Sequence, residues 1–406
     1  MRQVRWASLM VGMAMLAVCG VRPAVADIRS DQAAAILEWP NILFFEADAL
    51  PGSLNVIDTI VQISNTSTEP VVAWCFYENA NAHCTNTGAV CLTQFPETCC
   101  DMTLGCGLCQ PGWNETDFRV RLTPEQPLGW LASQGLSGFD TTPPKSFGTF
   151  PISGVFGSCS PFDHNQPPCT ISNAGSAVPP VPESPFNGSL RCVAVNDDNT
   201  PVDRNVLKGE QTLGVLANDF DLIQVAKDNA IGIQAIPGAV NDDNILVLGG
   251  DGAEYNGCPS VLILNHFFDF AENPALNDDN YVDAPAPVLT VLTLVPCSQD
   301  FLRQIPGSAQ VQFLVFNEFE QRFSASTPFN CKYITLLSNI DTTQNERSIF
   351  SAGVAGTLTG QTRIRSVEPF SGILGDATEI HDITAIADFN LHYQGDRTAS
   401  DFIILP

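Results

Sequence analysis

Short apolar runs separated by turn residues follow one another along the chain, and this pattern predicts β-strands rather than helices. The segment Asp117–Leu122 alternates strictly, with Phe118, Val120 and Leu122 on one face. Such alternation is typical of an antiparallel strand with one buried face. Further strands are predicted at Ser189–Val195, Ile245–Leu248, Ser260–Asn265, Val288–Val295, Gln310–Asn317, Lys332–Leu337 and Phe402–Leu405.

Two neighbouring strands near the N-terminus are predicted to pair directly. Asp58–Asn65 alternates, Val71–Tyr77 is rich in β-branched and aromatic residues, and the turn-forming segment 65–70 lies between them. This arrangement predicts a β-hairpin. Helical patterns are confined to Asp31–Leu37 and Thr123–Gly135, each of which suits a helical turn or a short helix.

The predicted fold class is therefore all-β with minor helix. We expect an antiparallel β-sandwich architecture of two packed sandwiches, or one elaborated sandwich, with a disulfide-rich loop. Prolines accumulate in 172–188, where they disfavour ladder hydrogen bonds and favour extended backbone. This segment predicts a Pro-rich linker between an N-terminal β domain, 27–171, and a C-terminal β-sandwich domain, 189–406.

The first 26 residues have the pattern of a secretory signal peptide. Arg2 and Arg5 precede an apolar run over Trp6–Val21, and the small residues Ala24–Ala26 follow at the expected cleavage position. A lipoprotein signal ending at Cys19 is the competing interpretation, although bulky Val18 precedes that cysteine. No later segment is apolar enough to predict a transmembrane span. The expected location is the periplasm, the cell surface or the extracellular space.

The charge balance of the chain excludes several partners. The 406 residues contain 44 Asp plus Glu against 18 Lys plus Arg, for a net charge of −26. Removal of the three arginines of the signal changes this to −29. Such a chain repels polyanions, which argues against nucleic-acid binding and against an anionic membrane surface. Its mean hydropathy of +0.08 nevertheless allows a large core.

Thirteen cysteines remain after cleavage, and export favours their oxidation to disulfides whose pairing the sequence leaves open. Seven fall in a predicted Cys-rich loop, 75–109: Cys75, Cys84, Cys91, Cys99, Cys100, Cys106 and Cys109. The other six are dispersed: Cys159, Cys169, Cys192, Cys258, Cys297 and Cys331. An odd count leaves one thiol unpaired or shared between chains. A tetrahedral zinc site in the Cys99–Cys109 stretch is the alternative to disulfides there.

Acidic and amide residues cluster at several predicted turns. Asn-Asp-Asp-Asn begins at Asn196, Asn241 and Asn277, and a related Asn-Asp-Phe-Asp begins at Asn218. Side chains of this kind supply the oxygen ligands that calcium prefers. The candidate calcium ligands are Asp197, Asp198, Asp219, Asp221, Asp242, Asp243, Asp278 and Asp279. Asn and Asp are also common turn residues, so turns without a cation are the alternative.

Two resemblances to known families follow from particular segments. Ala194–Asp198 followed by Gly214–Asp219 resembles the opening of the cadherin-like modules of bacterial surface adhesins. Asp58–Cys84, Leu262–Asp269 and Gln312–Phe323 resemble an uncharacterised family of exported bacterial β-rich proteins. The first resemblance implies adhesion at a cell surface, and the second implies export without naming an activity.

Residues that would support catalysis are sparse. The sequence lacks the zinc-protease, nucleophile-elbow, P-loop and dinucleotide-binding motifs. His266, with Asp269 to orient it, is the best candidate for a site histidine, and a packed core histidine is the alternative. Glu318 and Glu320 would share one strand face, where either could act as one acid of a glycosidase whose second carboxylate comes from elsewhere in the fold. The alternative is a solvated strand face with Glu320 paired to Arg322.

Together these observations favour a secreted or cell-surface β-sandwich protein with a structural or interaction role. Other surface proteins or glycans are the expected partners. A calcium-stabilised adhesion or ligand-binding protein and an exported carbohydrate-active enzyme are the alternatives.

Overall fold

The computed structural model describes residues 31–46, 56–84, 90–91, 109–111, 113–136, 177–216, 223–239, 243–268, 288–341, 359–381 and 385–406. The first strands are β1 (Ile36–Glu46), β2 (Val56–Asn65), β3 (Val71–Asn79), β4 (Ala82–Cys84), β5 (Val90–Cys91), β6 (Cys109–Pro111), β7 (Asn114–Leu122), β8 (Pro127–Leu131), β9 (Phe186–Val195), β10 (Leu207–Leu216), β11 (Ile223–Asn229) and β12 (Ile231–Ile233). The later strands are β13 (Ile245–Leu248), β14 (Pro259–Phe267), β15 (Val288–Pro296), β16 (Gln299–Asp300), β17 (Ser308–Asn317), β18 (Arg322–Asn330), β19 (Tyr333–Leu336), β20 (Thr359–Ser366), β21 (Ile373–His381), β22 (Ala385–Asn390), β23 (His392–Asp396) and β24 (Asp401–Ile404). Helix within these ranges is limited to a 3₁₀ turn, Leu337–Ile340, so the all-β prediction is confirmed.

A nine-stranded sheet forms the first part of the molecule. Its main path runs β11-β10-β2-β1-β9-β3-β7, with β12 beside β1 and β8 beside β2. Val61 and Ile63 of β2 and Ala73 and Tyr77 of β3 belong to one hydrophobic core, although two strands separate β2 from β3 in the sheet. The sheet therefore curls until its two halves face each other across that core.

A second sandwich follows along the chain. A five-stranded sheet, β18-β17-β20-β14-β23, packs on a four-stranded sheet, β19-β15-β21-β22. Leu264, Phe313 and Ile364 from the first sheet meet Leu292 and Ala377 from the second in one core. A further apolar core connects the nine-stranded sheet to the three strands β13, β24 and β16.

The predicted hairpin at 58–77 is wrong, because β1 and β9 lie between β2 and β3. Asn65 holds the connecting turn by donating from Nδ2 to the Glu69 carbonyl at 2.6 Å and accepting the Ser67 amide at 2.9 Å. The turn carries the chain from one layer of the curled sheet to the other. Local sequence predicts the two strands and the turn, but not which strands pair.

The two predicted helical segments are also wrong. Ala34 and Ala35 donate their backbone amides to Leu207 and Ile233 of other strands, and Ile36 begins β1. In 123–135 the chain forms a turn and then β8, which pairs with β2. Pairing with distant strands overrides the weak helical patterns in both segments.

The predicted linker at 172–188 does not divide the fold. Strand β9, which begins inside the segment, and β10–β12, which follow it, belong to the same nine-stranded sheet as β1–β3, β7 and β8. Val178 and Val181 from within the segment lie in the first core. The change from the first sandwich to the remaining sheets falls instead between Ile233 and Ile245.

Two disulfides occur among the described residues. Cys75 on β3 bonds Cys192, its register partner on β9, and Cys258 bonds Cys297 in the core beneath β13 and β24. Cys75 is thus tied to a strand outside the predicted Cys-rich loop. The Cys75–Cys192 bond joins residues 117 positions apart, so it limits the conformations of the unfolded chain. This raises the free energy of the unfolded state by about 4–5 kcal/mol.

The other predicted disulfide residues are seen only in part. Cys331 is a buried free thiol. Cys84 and Cys109 are register partners on β4 and β6. The Cys91 side chain and residues Cys99, Cys100, Cys106, Cys159 and Cys169 lie outside the described parts of the structure, as does the signal segment 1–26.

Candidate functional site

A cleft with a volume of about 400 Å³ opens at one end of the second sandwich. Strands β14, β17, β20 and β21 supply its walls. Its lining residues are Asn265, His266, Phe267, Phe316, Asn317, Glu318, Thr359, Gly360, Gln361 and Glu379. The cleft therefore combines carboxylates, amides and phenyl rings, a mixture that suits a polar ligand with some apolar surface.

His266 lies in the cleft wall as a neutral, packed residue. Its Nδ1 is 3.0 Å from the Phe267 carbonyl oxygen, and its Nε2 is 3.0 Å from Thr362 Oγ1. The carbonyl can only accept, so Nδ1 carries the proton and Nε2 accepts from the threonine hydroxyl. Burial lowers the pKa of His266 to about 4. Asp269, its predicted orienting partner, lies outside the described residues.

Glu318 reaches the cleft, whereas Glu320 does not line it. Glu318 Oε1 accepts the Thr359 hydroxyl at 2.7 Å and the Thr359 amide at 3.2 Å. The prediction that the two glutamates share one strand face is wrong, because β17 ends at Asn317 and Glu320 has a φ of 61°. The tight turn required by the β17–β18 hairpin directs the two side chains differently.

A second carboxylate of the cleft, Glu379, was not predicted from the sequence. Glu379 pairs with His381, two residues further along β21. The His381 ring also lies edge-on to the Phe267 ring, with centroids 6.0 Å apart. Strands β14 and β21 thereby bring a carboxylate, an imidazole and a phenyl ring together at the cleft.

Amide side chains form an ordered row beside these carboxylates. Gln361 Nε2 donates to Asn265 Oδ1 at 3.1 Å, and Arg363 Nε donates to Gln361 Oε1 at 3.1 Å. Asn265 and Gln361 are register partners on β14 and β20. These hydrogen bonds orient the Gln361 amide at the cleft, and an oriented group costs less entropy on binding.

Gly360 is required by the packing of the cleft. A Cβ at this position would lie 2.8 Å from His266 Cε1, 2.8 Å from Phe268 Cζ and 2.9 Å from the Phe316 carbonyl oxygen. We expect Gly360→Ala to lower the free energy of unfolding by about 1–3 kcal/mol through overpacking. Gly129→Ala is the control, since its nearest contact would be an ordinary 3.4 Å. Urea unfolding measures both, and equal stability of the two variants would contradict the packing argument.

A buried charged network joins the two sandwiches. Arg191 on β9 donates from Nε to Glu38 Oε2 at 2.5 Å, and its two terminal nitrogens donate to the carbonyls of Pro296 and Cys297 at 2.9 and 2.8 Å. Glu78 Oε1 lies 3.8 Å from the same Nε. Burial raises the pKa of Glu78 to about 8, although the Arg191 charge opposes this shift.

A second buried cluster lies where the four-stranded sheet faces the nine-stranded sheet. Gln211 Nε2 is 2.9 Å from Asp388 Oδ2 and 3.5 Å from Asp376 Oδ2, while Thr378 donates to Asp388 Oδ1 at 2.9 Å. Burial and the neighbouring Asp388 charge raise the pKa of Asp376 well above its usual value. Burial lowers the pKa of the adjacent Lys332 to about 7.

The candidate calcium ligands at the turns have partners within the protein where they are described. Asp197 forms an exposed ion pair with Arg121 at 2.9 Å. Asp198 Oδ1 accepts the Thr200 amide at 3.1 Å, and Asp243 Oδ1 accepts the Ile245 amide at 2.7 Å. Residues Asp219, Asp221, Asp242, Asp278 and Asp279 lie outside the described residues, so a calcium site in these turns stays a prediction.

One other group among the described residues has the spacing of metal ligands. The atoms of Cys258, Cys297 and Asp401 lie within 4.8 Å of one another. Both sulfur atoms belong to a disulfide, and Asp401 Oδ1 accepts the Gly372 amide and the Ser298 hydroxyl, each at 2.8 Å. These partners make the group a structural junction.

The comparisons with known proteins add no family. The chain matches no protein-family model and no curated protein. Within the described parts of the chain, no helix has the length and apolar character needed to cross a bilayer.

Proposed function

We propose that the protein is exported and acts by binding, and that the cleft at the end of the second sandwich receives a hydroxyl-rich ligand such as a glycan. The single observation that carries the proposal is the lining of the cleft. Carboxylate and amide groups of Glu318, Gln361 and Asn265 suit sugar hydroxyls, and the half-buried rings of Phe267 and Phe316 suit the apolar face of a sugar.

The partners of the cleft residues favour binding over catalysis. His266 is held neutral by burial, and both of its ring nitrogens have protein partners. Glu318 accepts two hydrogen bonds from Thr359, and Glu379 is paired with His381. A signal-type N-terminus and the two disulfides support export.

Two neighbouring glutamates provide a matched test of the proposal. Glu318→Gln alters a hydrogen-bonding group inside the cleft, whereas Glu320→Gln makes the same change outside it. We expect Glu318→Gln to weaken binding of immobilised neutral oligosaccharides about tenfold, because one lost hydrogen bond to a charged group costs about 1.5 kcal/mol. Glu320→Gln should leave the affinity unchanged. Absence of binding to every oligosaccharide, or equal losses in both variants, would contradict the proposal.

An exported carbohydrate-active enzyme is the second candidate, because two carboxylates, Glu318 and Glu379, line one cleft. Glycosidases use such a pair as acid and base or as acid and nucleophile. Release of reducing ends by the purified protein, abolished in both Glu318→Gln and Glu379→Gln but not in Glu320→Gln, would replace the binding proposal with this one. Binding without such release supports the first proposal.

A further inference from the structure

Two buried amide oxygens beside Asp376, Gln211 Oε1 and Asn390 Oδ1, have no hydrogen-bond partner among the described residues. Thr293 Oγ1 and Asp376 Oδ1 have no partner beyond the hydrogen bond between the Thr293 hydroxyl and the Asp376 carboxylate. Asp376 and Thr293 are fully buried, and Gln211 is 2% exposed. Leaving a buried acceptor unpartnered costs about 1–3 kcal/mol, so two such oxygens in one place require an explanation.

Strand pairing brings these oxygens to one position. Thr293 on β15 and Asn390 on β22 are the register partners of Asp376 on β21, so the three side chains share one face of the four-stranded sheet. Gln211 reaches them from β10 of the nine-stranded sheet, and its Nε2 contacts both Asp376 and Asp388. Polar side chains from four strands in two sheets therefore converge on one region of the interface between the sheets.

The charges at this point do not balance. Asp376 and Asp388 are buried, and Asp228, the register partner of Gln211 on β11, adds a third carboxylate. Lys332 is the nearby base, and its Nζ already donates to the Gly188 carbonyl at 2.8 Å and to Asn41 Oδ1 at 3.2 Å. Two buried carboxyl groups and the half-buried Asp228 therefore face one amine, and they need either protons or a bound cation to compensate them.

We propose that a calcium ion binds between the two sheets, with oxygen ligands from Asp376, Asp388, Gln211, Asn390 and Thr293. Calcium accepts six to eight oxygen ligands in flexible geometry, and carboxylate, amide and hydroxyl oxygens all serve. Magnesium keeps several waters and suits an enclosed site poorly, while zinc prefers nitrogen and sulfur ligands. The site is separate from the Asn-Asp-Asp-Asn turns and from the cleft, so it does not depend on the proposed function.

The experiment uses the full oxidised chain. The protein is unfolded in urea with a chelator, refolded without it, and then melted at neutral pH in calcium, in magnesium and in sodium chloride of equal ionic strength. Ligand binding to the folded state alone raises the melting temperature, and saturating calcium should raise it by about 5 °C. Native mass spectrometry should find one calcium ion in the natural protein that is absent from Asp376→Asn. No calcium-specific shift and no bound ion would overturn the proposal.

Variants test where the ion binds. They also test whether calcium or bound protons compensate the buried carboxyl groups. Asp376→Asn should be destabilised and lose the calcium shift, whereas protonated carboxylates would make the same variant as stable as the natural protein or more so. Thr293→Val removes one ligand oxygen with little change of shape, so it should fold and bind calcium about tenfold more weakly. Asp198→Asn and Asp243→Asn, at the surface turns, should keep the full response. Loss of the response in these two variants, with retention in Thr293→Val, would place the ion in the turns and overturn the proposal.

Discussion

Arg191→Leu should lower the free energy of unfolding by about 3–5 kcal/mol, because it leaves Glu38 buried without its directly hydrogen-bonded counterion. Glu38 and Arg191 are fully buried, so water cannot take over the lost interactions. The variant also removes the hydrogen bonds that Arg191 donates to the Pro296 and Cys297 carbonyls. Urea unfolding of the oxidised protein measures the loss.

Two further variants test whether the buried charge is the cause. Arg121→Leu removes an arginine whose ion pair with Asp197 is exposed, with 60% and 68% of the two side chains accessible, and it should cost less than about 1 kcal/mol. Glu38→Gln combined with Arg191→Leu should lose less stability than Arg191→Leu alone, because a neutral amide replaces the stranded carboxylate. A double variant less stable than Arg191→Leu would contradict the electrostatic explanation.

Ionisation of Asp58 should lower the free energy of unfolding as the pH rises from about 4 to about 7. Burial raises the pKa of Asp58 from 3.8 to about 7, although Ser133 and the Thr59 amide donate to its carboxylate. In this pH range the unfolded chain has lost the proton that the folded protein retains, so ionisation favours unfolding. The full shift corresponds to about 4 kcal/mol, all of it lost above the folded pKa.

Asp58→Asn should remove this part of the pH dependence. Asparagine keeps the shape, its carbonyl can accept the backbone amides, and its Nδ2 can donate to Ser133 Oγ. Urea midpoints across the pH range should agree for the two proteins near pH 4 and favour the variant increasingly towards neutral pH. Asp197→Asn removes an exposed carboxylate instead and serves as the control. An unchanged slope in Asp58→Asn would refute the assignment to this group.

The sequence predicted individual strands well because alternation records which face is buried. Ile245–Leu248 coincides with β13, and the alternating positions of Asp117–Leu122 are buried as predicted. The pattern does not record which strand lies alongside, so the pairing of β2 with β10 and β8 rather than with β3 could not be predicted.

The candidate sites were predicted to a smaller extent. His266 and Glu318 stood out because each is a polar residue beside an apolar strand, and both line the cleft. Asp376 and Asp388 alternate on mixed strands with buried Ala377 and partly buried Phe389, a pattern that places carboxylates on a solvated face, so only the packing of two sheets reveals their burial. Arg191 did carry a signal, as a charge within the apolar run of β9.

The position of β9 determines when β1 and β3 can be joined in one sheet during synthesis. β9 lies between β1 and β3 and forms hydrogen-bonded ladders with both. A chain that ends before Phe186 therefore carries two strands with unpaired edges and a cysteine, Cys75, whose partner has not yet been made. Such edges are templates for aggregation, and non-local pairing is slow. Until about half of the chain has been made, β1 and β3 can therefore pair with the same strands of other chains, and such pairing must be prevented.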